Sequence, residues 1–232
     1  MPLPYFYIPH LTGDVITLSE DTSKHVVQVL RMERGKELLL TNGQGQKARV
    51  VIEDDNRKRC TVKVIEIANE QSPAVKVSIA ISLIKNTTRF EWFLEKATEI
   101  GVSQIIPLLC ERTEKEKFRY DRLNAILISA MLQSQQCWLP KLFEPVLFQK
   151  AISEEIEGQK FIAHCLPEQK QQLSSVTKKK SSIILIGPEG DFTEEEIRLA
   201  LEKGFQPVAL GNTRLRTETA GIVAATLLCN SF

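Results

Sequence analysis

Residues 182–228, SIILIGPEGDFTEEEIRLALEKGFQPVALGNTRLRTETAGIVAATLL, decide the fold of this chain. The unbroken apolar run at 183–186 predicts a strand that is buried on both faces and therefore lies inside a sheet. The run ends at Gly187-Pro188-Glu189-Gly190, where two glycines can take positive φ angles and a proline donates no amide. The backbone of this loop can therefore approach a ligand closely.

The rest of the stretch predicts a second strand and two helices. Thr193 and Glu196 fit a Thr-x-x-Glu capping box, so a helix is expected directly after the glycine loop. Residues 207–210 predict a short buried strand that ends at Gly211, and Thr217 is a good N-cap for the last helix. The two strand-loop-helix units place both loops at the carboxyl ends of neighbouring strands, where open α/β sheets bind ligands.

Two motifs in this stretch, GPEGDF at 187–192 and LGNTRLRTETA at 210–220, occur together. The combination resembles the signature of the RsmE family of SPOUT-type RNA methyltransferases, which is GPEGGF followed by LG-x-R-I-L-R-x-E-T-A. That family methylates N3 of a uridine in small-subunit (16S) ribosomal RNA. Asp191 stands where the family has a second glycine, so this position cannot require glycine. Arg214 is one step away from a strict R-I-L-R spacing, whereas Arg216 matches the motif.

Composition excludes several classes of protein. The chain has 232 residues, enough for one large domain or two modest ones, and its net charge of +1 provides no global attraction to nucleic acid. Its five cysteines form no Cys-x-x-Cys pair and lack the histidine spacing of a zinc site, which indicates reduced thiols in the cytoplasm and no metal. No apolar run approaches the roughly 18 residues that a membrane helix needs, so no membrane partner is expected.

Residues 1–72 are predicted to form a small β-rich domain. Residues 21–31 predict one short helix, and strands separated by short turns predict an antiparallel barrel or meander, at 38–40, 48–52 and 62–67. This part resembles the PUA-like RNA-binding barrel of the same family. Arg31 is the candidate here for contacting RNA phosphates, and the alternative is a solvated charge.

A possible dinucleotide fingerprint lies within this domain. Gly43-x-Gly45-x-x-Ala48 follows an apolar strand, as the fingerprint requires. The next residues, 48–52, alternate and are β-branched, whereas the fingerprint demands a helix there. A hairpin turn is therefore the better interpretation.

Residues 73–232 are predicted to form an α/β domain with a mostly parallel sheet and helices on both faces, because strand and helix patterns alternate. The strands are expected at 77–84, 104–109, 142–147 and 161–165, in addition to the two above, and the helices at 89–100, 120–136 and around 152. Residues 96–102, KATEIGV, resemble a further block of the family. The resemblance implies a carboxyl-terminal trefoil knot and a homodimer. The small residues of the last helix, including Gly221 and Ala224, permit close approach of another helix.

The resemblance implies that S-adenosylmethionine is the cofactor. It also implies a pocket lined by the two loops and by a third loop after the strand at 161–165, with these residues: Leu166, Gly187, Glu189, Gly190, Leu210, Gly211, Leu215, Arg216 and Thr217. Their alternative role is plain turn geometry for the glycines and core packing for the leucines.

Arg216 is the candidate catalytic residue. A uridine N3 must lose its proton to become a nucleophile, and a guanidinium can stabilise the resulting anion. The alternative is a structural ion pair with Glu218 or Glu189. Lys85 and Arg89 flank a strand end and a helix start, which is a natural position for RNA phosphates. The expected partner is small-subunit ribosomal RNA or the assembled small subunit.

Two other functions remain open at this stage. The departures from the family at Asp191 and Gln136 allow a non-catalytic RNA-binding protein that retains the SPOUT fold. An unrelated α/β enzyme could use the GPEG loop to hold a phosphate.

Overall fold

The computed structural model describes residues 3–114, 117–154, 157–167, 170–177 and 179–229. The chain divides into two compact units. The first consists of Met1–Ser72 together with Met131–Leu139, and the second consists of Pro73–Ala130 together with Pro140–Phe232.

The first unit is built on one sheet, which in the described part of the chain has five strands in the order β1-β3-β4-β5-β2. Its elements are β1 Tyr5–Tyr7, β2 Val15–Thr17, α1 Glu20–Lys24, β3 Glu37–Thr41, β4 Gln46–Asp54 and β5 Thr61–Asn69. The antiparallel meander predicted from the sequence is present in β3, β4 and β5. The amino-terminal strand departs from the predicted antiparallel pattern. β1 pairs parallel with β3, and a long connection through β2 and α1 joins the two strands.

Buried and partly exposed side chains alternate along β4, which explains how one face of this sheet forms a hydrophobic core. Ala48, Val50 and Ile52 are buried, whereas the intervening Arg49 and Val51 are partly exposed. Every second side chain of a strand points to the same face, so one face of the sheet is apolar. Leu38 and Leu40 of the paired strand β3 are fully buried in the same cluster.

The predicted helix at 21–31 is shorter and more irregular than expected. The Ser19 side chain accepts a hydrogen bond from the Thr22 amide and caps α1. The chain then widens into one π-helical turn, His25–Val29, and Arg31 takes a left-handed φ of 53° beyond it. Arg31 is exposed.

The glycines of the possible dinucleotide fingerprint lie in the hairpin turn between β3 and β4, as predicted. A Cβ atom on Gly45 would lie 2.3 Å from the Trp138 ring, which belongs to the segment Met131–Leu139 of the same unit. Gly45 is therefore needed for close packing against that segment, and no helix follows it.

The second unit contains a sheet of eight strands in the described part of the chain, and every pairing given for it is parallel. The main path runs β11-β13-β10-β12-β6-β7-β8, and β9 pairs with β7. Its elements are β6 Lys76–Ser82, α2 Thr87–Ile100, β7 Gln104–Leu109, α3 Tyr120–Gln133, β8 Lys141–Leu142, β9 Val146–Leu147, α4 Phe148–Ser153, β10 Gln159–Ala163, β11 Gln171–Gln172, β12 Ser181–Ile186, α5 Glu194–Glu202, β13 Gln206–Ala209 and α6 Thr217–Cys229.

Helices cover both faces of this sheet, as predicted. On one face, residues of α4 and α5 such as Ile152 and Ile197 share a core cluster with Leu185 of β12. On the other face, α6 packs against β6 and against α2. A Cβ atom on Gly221 of α6 would lie 2.6 Å from the Phe93 ring of α2. The close approach that small residues in the last helix permit is thus made with α2 of the same chain.

Two predicted boundaries needed correction. The strand expected at 142–147 is two short strands, β8 and β9, separated by a break that contains Pro145. Proline has no amide for a sheet ladder, so pairing with β7 stops and resumes after it. The helix expected at 120–136 ends at Gln133, and Gln135 has a left-handed φ of 58°.

Candidate functional site

Three loops meet at one edge of the parallel sheet of the second unit. The last residue of β10, Ala163, is paired with Ile186 at the end of β12 and with Val208 near the end of β13. Because parallel strands in this register end together, the segments that follow them emerge side by side. This edge is where ligands bind in open α/β folds.

Two neighbouring cavities, of about 410 and 430 Å³, lie among these loops. Both are lined by Ala163, Cys165, Arg214, Leu215 and Ala220. Because they share these residues, the two cavities adjoin each other, and we call them together the cradle.

Most of the predicted cofactor residues line the cradle. Gly187, Glu189, Leu215, Arg216 and Thr217 line the first cavity, and Leu210, Gly211 and Leu215 line the second. Gly190 and Leu166 lie in the same loops but do not line either cavity. The structure therefore brings the three predicted loops together around these two adjoining cavities.

The loop at 187–191 is held in place by side chains and amides from other parts of the unit. Glu189 Oε1 accepts a hydrogen bond from the Lys85 amide at 3.0 Å. The Gly190 carbonyl accepts one from Arg112 Nη1 at 2.7 Å. No local sequence pattern points to Arg112, because the two residues that form this bond lie 78 positions apart.

The conformation and hydrogen bonds of Asp191 explain why aspartate can replace the second glycine of the GPEGGF motif. It has a left-handed φ of 63°, a conformation that favours glycine but that aspartate adopts more readily than most residues. Its Oδ2 accepts a hydrogen bond from the Cys165 amide at 2.7 Å, and its Oδ1 accepts one from the Phe192 amide at 2.8 Å. The carboxylate thus ties the loop after β12 to the loop after β10.

Asp191 also influences the exposed thiol next to it. Partial burial raises the pKa of Cys165, the Asp191 carboxylate adds to the rise, and Arg214 opposes it. The thiol is therefore held in its protonated form near neutral pH, which does not favour a nucleophilic role.

The capping box predicted after the glycine loop is present. Thr193 Oγ1 accepts a hydrogen bond from the Glu196 amide at 3.2 Å, and Glu196 Oε2 accepts one from the Thr193 amide at 2.9 Å. Glu196 is only 6% exposed. Its other carboxylate oxygen accepts a hydrogen bond from the Glu111 amide at 2.9 Å. The box therefore starts α5 and also links it to the segment after β7.

The start of the last helix differs by one residue from the prediction. Ala220 donates its amide to the Arg216 carbonyl at 2.8 Å, so Arg216 occupies the N-cap position and Thr217 is the first helical residue. This shift places Arg216 where the loop ends and the helix begins, with its side chain exposed at the cradle.

The charged groups around Arg216 are engaged elsewhere. Glu218, one of its two possible ion-pair partners, is 3.6 Å from Arg89 Nε, and the other, Glu189, accepts the Lys85 amide. Among the described residues, Arg216 has no ion-pair partner. Lys85 Nζ lies 2.9 Å from Glu114, so both cations predicted to contact RNA in this unit already face carboxylates.

The part of the chain that the structure describes contains neither a metal-binding cluster nor a membrane-spanning helix. No group of three or more histidine, cysteine, aspartate or glutamate side chains is placed to hold a metal ion among those residues. None of the described helices is both long enough and apolar enough to cross a bilayer.

Comparison with known proteins is consistent with the motifs. The family model of the RNA methyltransferase domain matches residues 70–229, and that of the RNA methyltransferase PUA domain matches residues 18–65. The ribosomal RNA small subunit methyltransferase E of Synechocystis is 32% identical over 218 residues, covering 90% of this chain and 71% of the relative.

Two solved structures are similar over nearly their whole length. A probable rRNA-methyltransferase from Porphyromonas gingivalis is 38% identical, with a TM-score of 0.90, and 96% of this chain and 95% of that chain are covered. A methyltransferase from Legionella pneumophila, solved with its bound cofactor SAM, is 31% identical, with a TM-score of 0.87, and the coverage is 98% and 97%. The chain therefore belongs to the RNA methyltransferase family and, within it, to the small-subunit ribosomal RNA methyltransferases that its two loop motifs indicated.

Proposed function

We propose that this chain transfers a methyl group from S-adenosylmethionine to N3 of a specific uridine in small-subunit (16S) ribosomal RNA. The observation that carries the proposal is the cradle, in which the GPEGDF loop, the LGNTRLR loop and the loop after β10 surround two adjoining cavities. Family membership and the SAM-bound relative from Legionella pneumophila support the identity of the cofactor.

The residues of the cradle fit this cofactor. Its two cavities are within the size range of small-molecule sites, and loop residues line much of them. Main-chain donors and acceptors can read the edges of an adenine ring. We assign cofactor binding to the nine residues predicted from the motifs: Leu166, Gly187, Glu189, Gly190, Leu210, Gly211, Leu215, Arg216 and Thr217.

The chemistry requires an anionic nitrogen and an aligned approach. When bound, S-adenosylmethionine supplies an electrophilic methyl group. The role of the protein is to hold the uridine in line with it and to exclude water, and such positioning is worth up to about 7–11 kcal/mol in well-oriented systems. Arg216 stabilises the negative charge on the uridine after N3 has lost its proton. Its guanidinium is available for this role because Glu218 and Glu189 are engaged by Arg89 and by the Lys85 amide.

RNA binding is divided between the two parts of the chain in this proposal. Residues 1–72 act as the PUA-like RNA-binding domain, with Arg31 among its phosphate contacts, and residues 73–232 act as the methyltransferase domain. Lys85 and Arg89 contact phosphates by exchanging their present carboxylate partners, Glu114 and Glu218, for the RNA. The substrate is the ribosomal RNA itself or the assembled small subunit, and the working compartment is the cytoplasm.

We further propose the trefoil knot and the homodimer that are typical of the family. The path of the chain supports the knot, because the segment after β13 returns across β10 and β12 to place α6 on β6. The partly exposed apolar residues of α6, which include Ile222, Val223 and Leu227, support a dimer that uses this helix. Sedimentation equilibrium tests the dimer, and a monomer at all concentrations would contradict it.

The function is tested by incubating the protein with radiolabelled S-adenosylmethionine and small-subunit particles that lack the modification. We expect label at N3 of a single uridine. Label on a cytidine or on transfer RNA would overturn the assignment. Calorimetry with S-adenosylhomocysteine separates the enzyme from a non-catalytic RNA-binding protein, since only the enzyme is expected to bind it.

A further inference from the structure

A third cavity, of about 340 Å³, lies at the amino end of α2, within the second unit and outside the cradle. We call it the α2 cavity. Apolar side chains line it, among them Leu83, Phe90 and Leu123, and these three are at most 4% exposed. Lys117, Phe118 and Arg119 line it as well.

Among its described lining residues, the α2 cavity carries more positive than negative charge. Arg122, which also lines it, donates to both oxygens of Glu91 at 2.7 and 3.0 Å, so these two charges neutralise each other. Lys117 and Arg119 are exposed, and neither has an ion-pair partner among the described residues. The cavity therefore combines an apolar interior with two cations that can take an anion.

Phe118 gives the cavity an aromatic wall. Its side chain is half-buried, and its ring centroid is 6.4 Å from that of Tyr120. Aromatic rings beside cationic side chains are the usual combination for holding a single-stranded nucleotide, because the ring stacks on the base and the cations contact the phosphate.

The α2 cavity and the cradle are neighbours across the first turn of α2. Arg89 lines the cradle, whereas the residues on either side of it, Thr88 and Phe90, line the α2 cavity. Both spaces also lie near the carboxyl end of β6. A strand of RNA that enters the cradle past Arg89 therefore runs close to the α2 cavity.

We propose that the α2 cavity binds one nucleotide of the same RNA strand that presents its uridine to the cradle. The base packs against Phe118 and the apolar interior, and its phosphate contacts Lys117 and Arg119. This inference rests on the proposed function, because it assigns the α2 cavity to the RNA substrate of the cradle. It adds a recognition site for a flanking nucleotide that neither loop motif contains.

The first test measures RNA binding directly, by fluorescence anisotropy with a fluorescein-labelled oligouridylate. Phe118→Leu is expected to weaken binding about 5- to 150-fold, the range found when a stacking aromatic is removed, without changing the salt dependence. Lys117→Gln and Arg119→Gln are each expected to lower the slope of log affinity against log salt by about 0.7, because each removes one phosphate contact.

Matched controls come from the same unit. Trp92→Leu removes an exposed aromatic of α2 that lines neither space, and Lys203→Gln removes an exposed cation just after α5. The inference is overturned if Phe118→Leu weakens binding no more than Trp92→Leu. It is also overturned if Lys117→Gln and Arg119→Gln change the salt slope no more than Lys203→Gln. The two rim cations are exposed, so their substitution tests the site even if Phe118→Leu affects folding.

The second test separates this inference from the proposed function. All variants should bind S-adenosylhomocysteine as the wild type does, and Phe118→Leu should raise the KM for small-subunit particles more than it lowers kcat. If the wild type methylates the particles and the KM of Phe118→Leu is unchanged, the inference fails and the function stands. If the wild type methylates nothing, the proposed function fails, and with it the assignment of the α2 cavity to a methylation substrate.

Discussion

The two glycine loops of the cradle are held in opposite ways. The loop at 187–191 is fixed by bonds from Lys85, Arg112 and Cys165. The loop at 211–215 follows β13, and among the described residues none of its members makes a hydrogen bond or an ion pair. Four of its five residues, 211–214, are exposed. One loop is thus braced by the protein, and the other is open.

This difference indicates that the two loops have different roles when a ligand binds. A braced loop loses little entropy when a ligand arrives, whereas an open loop must be ordered by the ligand, which costs free energy. The backbone groups of the open loop make no hydrogen bonds among the described residues, so they remain available to a ligand. We therefore expect the braced loop to set the shape of the site, and the open loop to close over the cofactor and carry Arg216 to the substrate.

The largest expected effect comes from the end of the open loop. Arg216→Ala should lower the single-turnover rate of methyl transfer about 10²- to 10³-fold, which is typical when one group that stabilises an oxyanion is removed. Arg214→Ala is the matched control, because it removes another exposed guanidinium two residues earlier in the chain. Equal losses in the two variants would show that the loop contributes only general positive charge.

The folded state should lose stability in alkali, because the buried thiol of Cys110 lies two residues before Arg112, which bonds to the braced loop. Burial raises the pKa of the Cys110 thiol from 9.0 to about 12, and the Glu196 carboxylate adds to the rise. The stabilising contribution of the protonated thiol is complete below pH 9 and is lost as the pH rises toward 12, because the unfolded chain loses its proton first.

The measurement is the difference in unfolding free energy between the wild type and Cys110→Ala. We expect the advantage of the wild type to shrink by about 1.4 kcal/mol for each pH unit above 9. Urea denaturation at pH 8 and pH 10 checks this, and a pH-independent difference would show that the thiol does not titrate as described.

Asp191 tests whether bracing of the first loop matters for the cofactor. Asp191→Ala removes the acceptor of the Cys165 and Phe192 amides and leaves alanine in a left-handed conformation, so the affinity for S-adenosylhomocysteine should fall roughly tenfold. Asp191→Gly should lose less, because glycine adopts this conformation without strain. Asp191→Asn should lose least. Calorimetry gives all three affinities, and an Ala variant that binds as well as the Gly variant would contradict the strain argument.

The smallest effect is a direct readout of the contrast between the loops. On addition of S-adenosylhomocysteine, amide hydrogen exchange at 211–215 should slow by about tenfold, because the ligand supplies the missing partners. Exchange at 189–191 should change by less than about threefold. Equal protection of both loops would mean that the open loop is already ordered before the cofactor arrives.

Local signals account for the parts of the fold that were predicted well. The capping box at Thr193 and Glu196 was recognised because both partners lie within one helical turn. The strand Gln104–Leu109 and the parallel sheet followed from apolar runs that alternate with helical patterns. The strand pattern after Gly45 distinguished a hairpin at Gly43 and Gly45 from a dinucleotide-binding fingerprint.

Features that depend on distant partners were missed. β1 and β2 are only three residues long, and β11 only two, so their sequences carry no strand pattern and they exist through their pairing partners. The bond from Arg112 to Gly190 and the bond from Cys165 to Asp191 join different loops. Arg216 was named from the motif, but its N-cap position and the engagement of its acidic neighbours depend on how α6 and α2 pack.

The sequence by itself determined the alternation of strands and helices in the second unit, its α/β class and the membership of the chain in its family. These depend on periodicity and on contiguous motifs, which are local properties. Only the tertiary structure decided which loop is braced, why aspartate is tolerated at position 191 and that the α2 cavity lies beside the cradle. The physical reason is that each of these arises from contacts between segments far apart in the chain, whose geometry is set by the packing of the sheet and its helices.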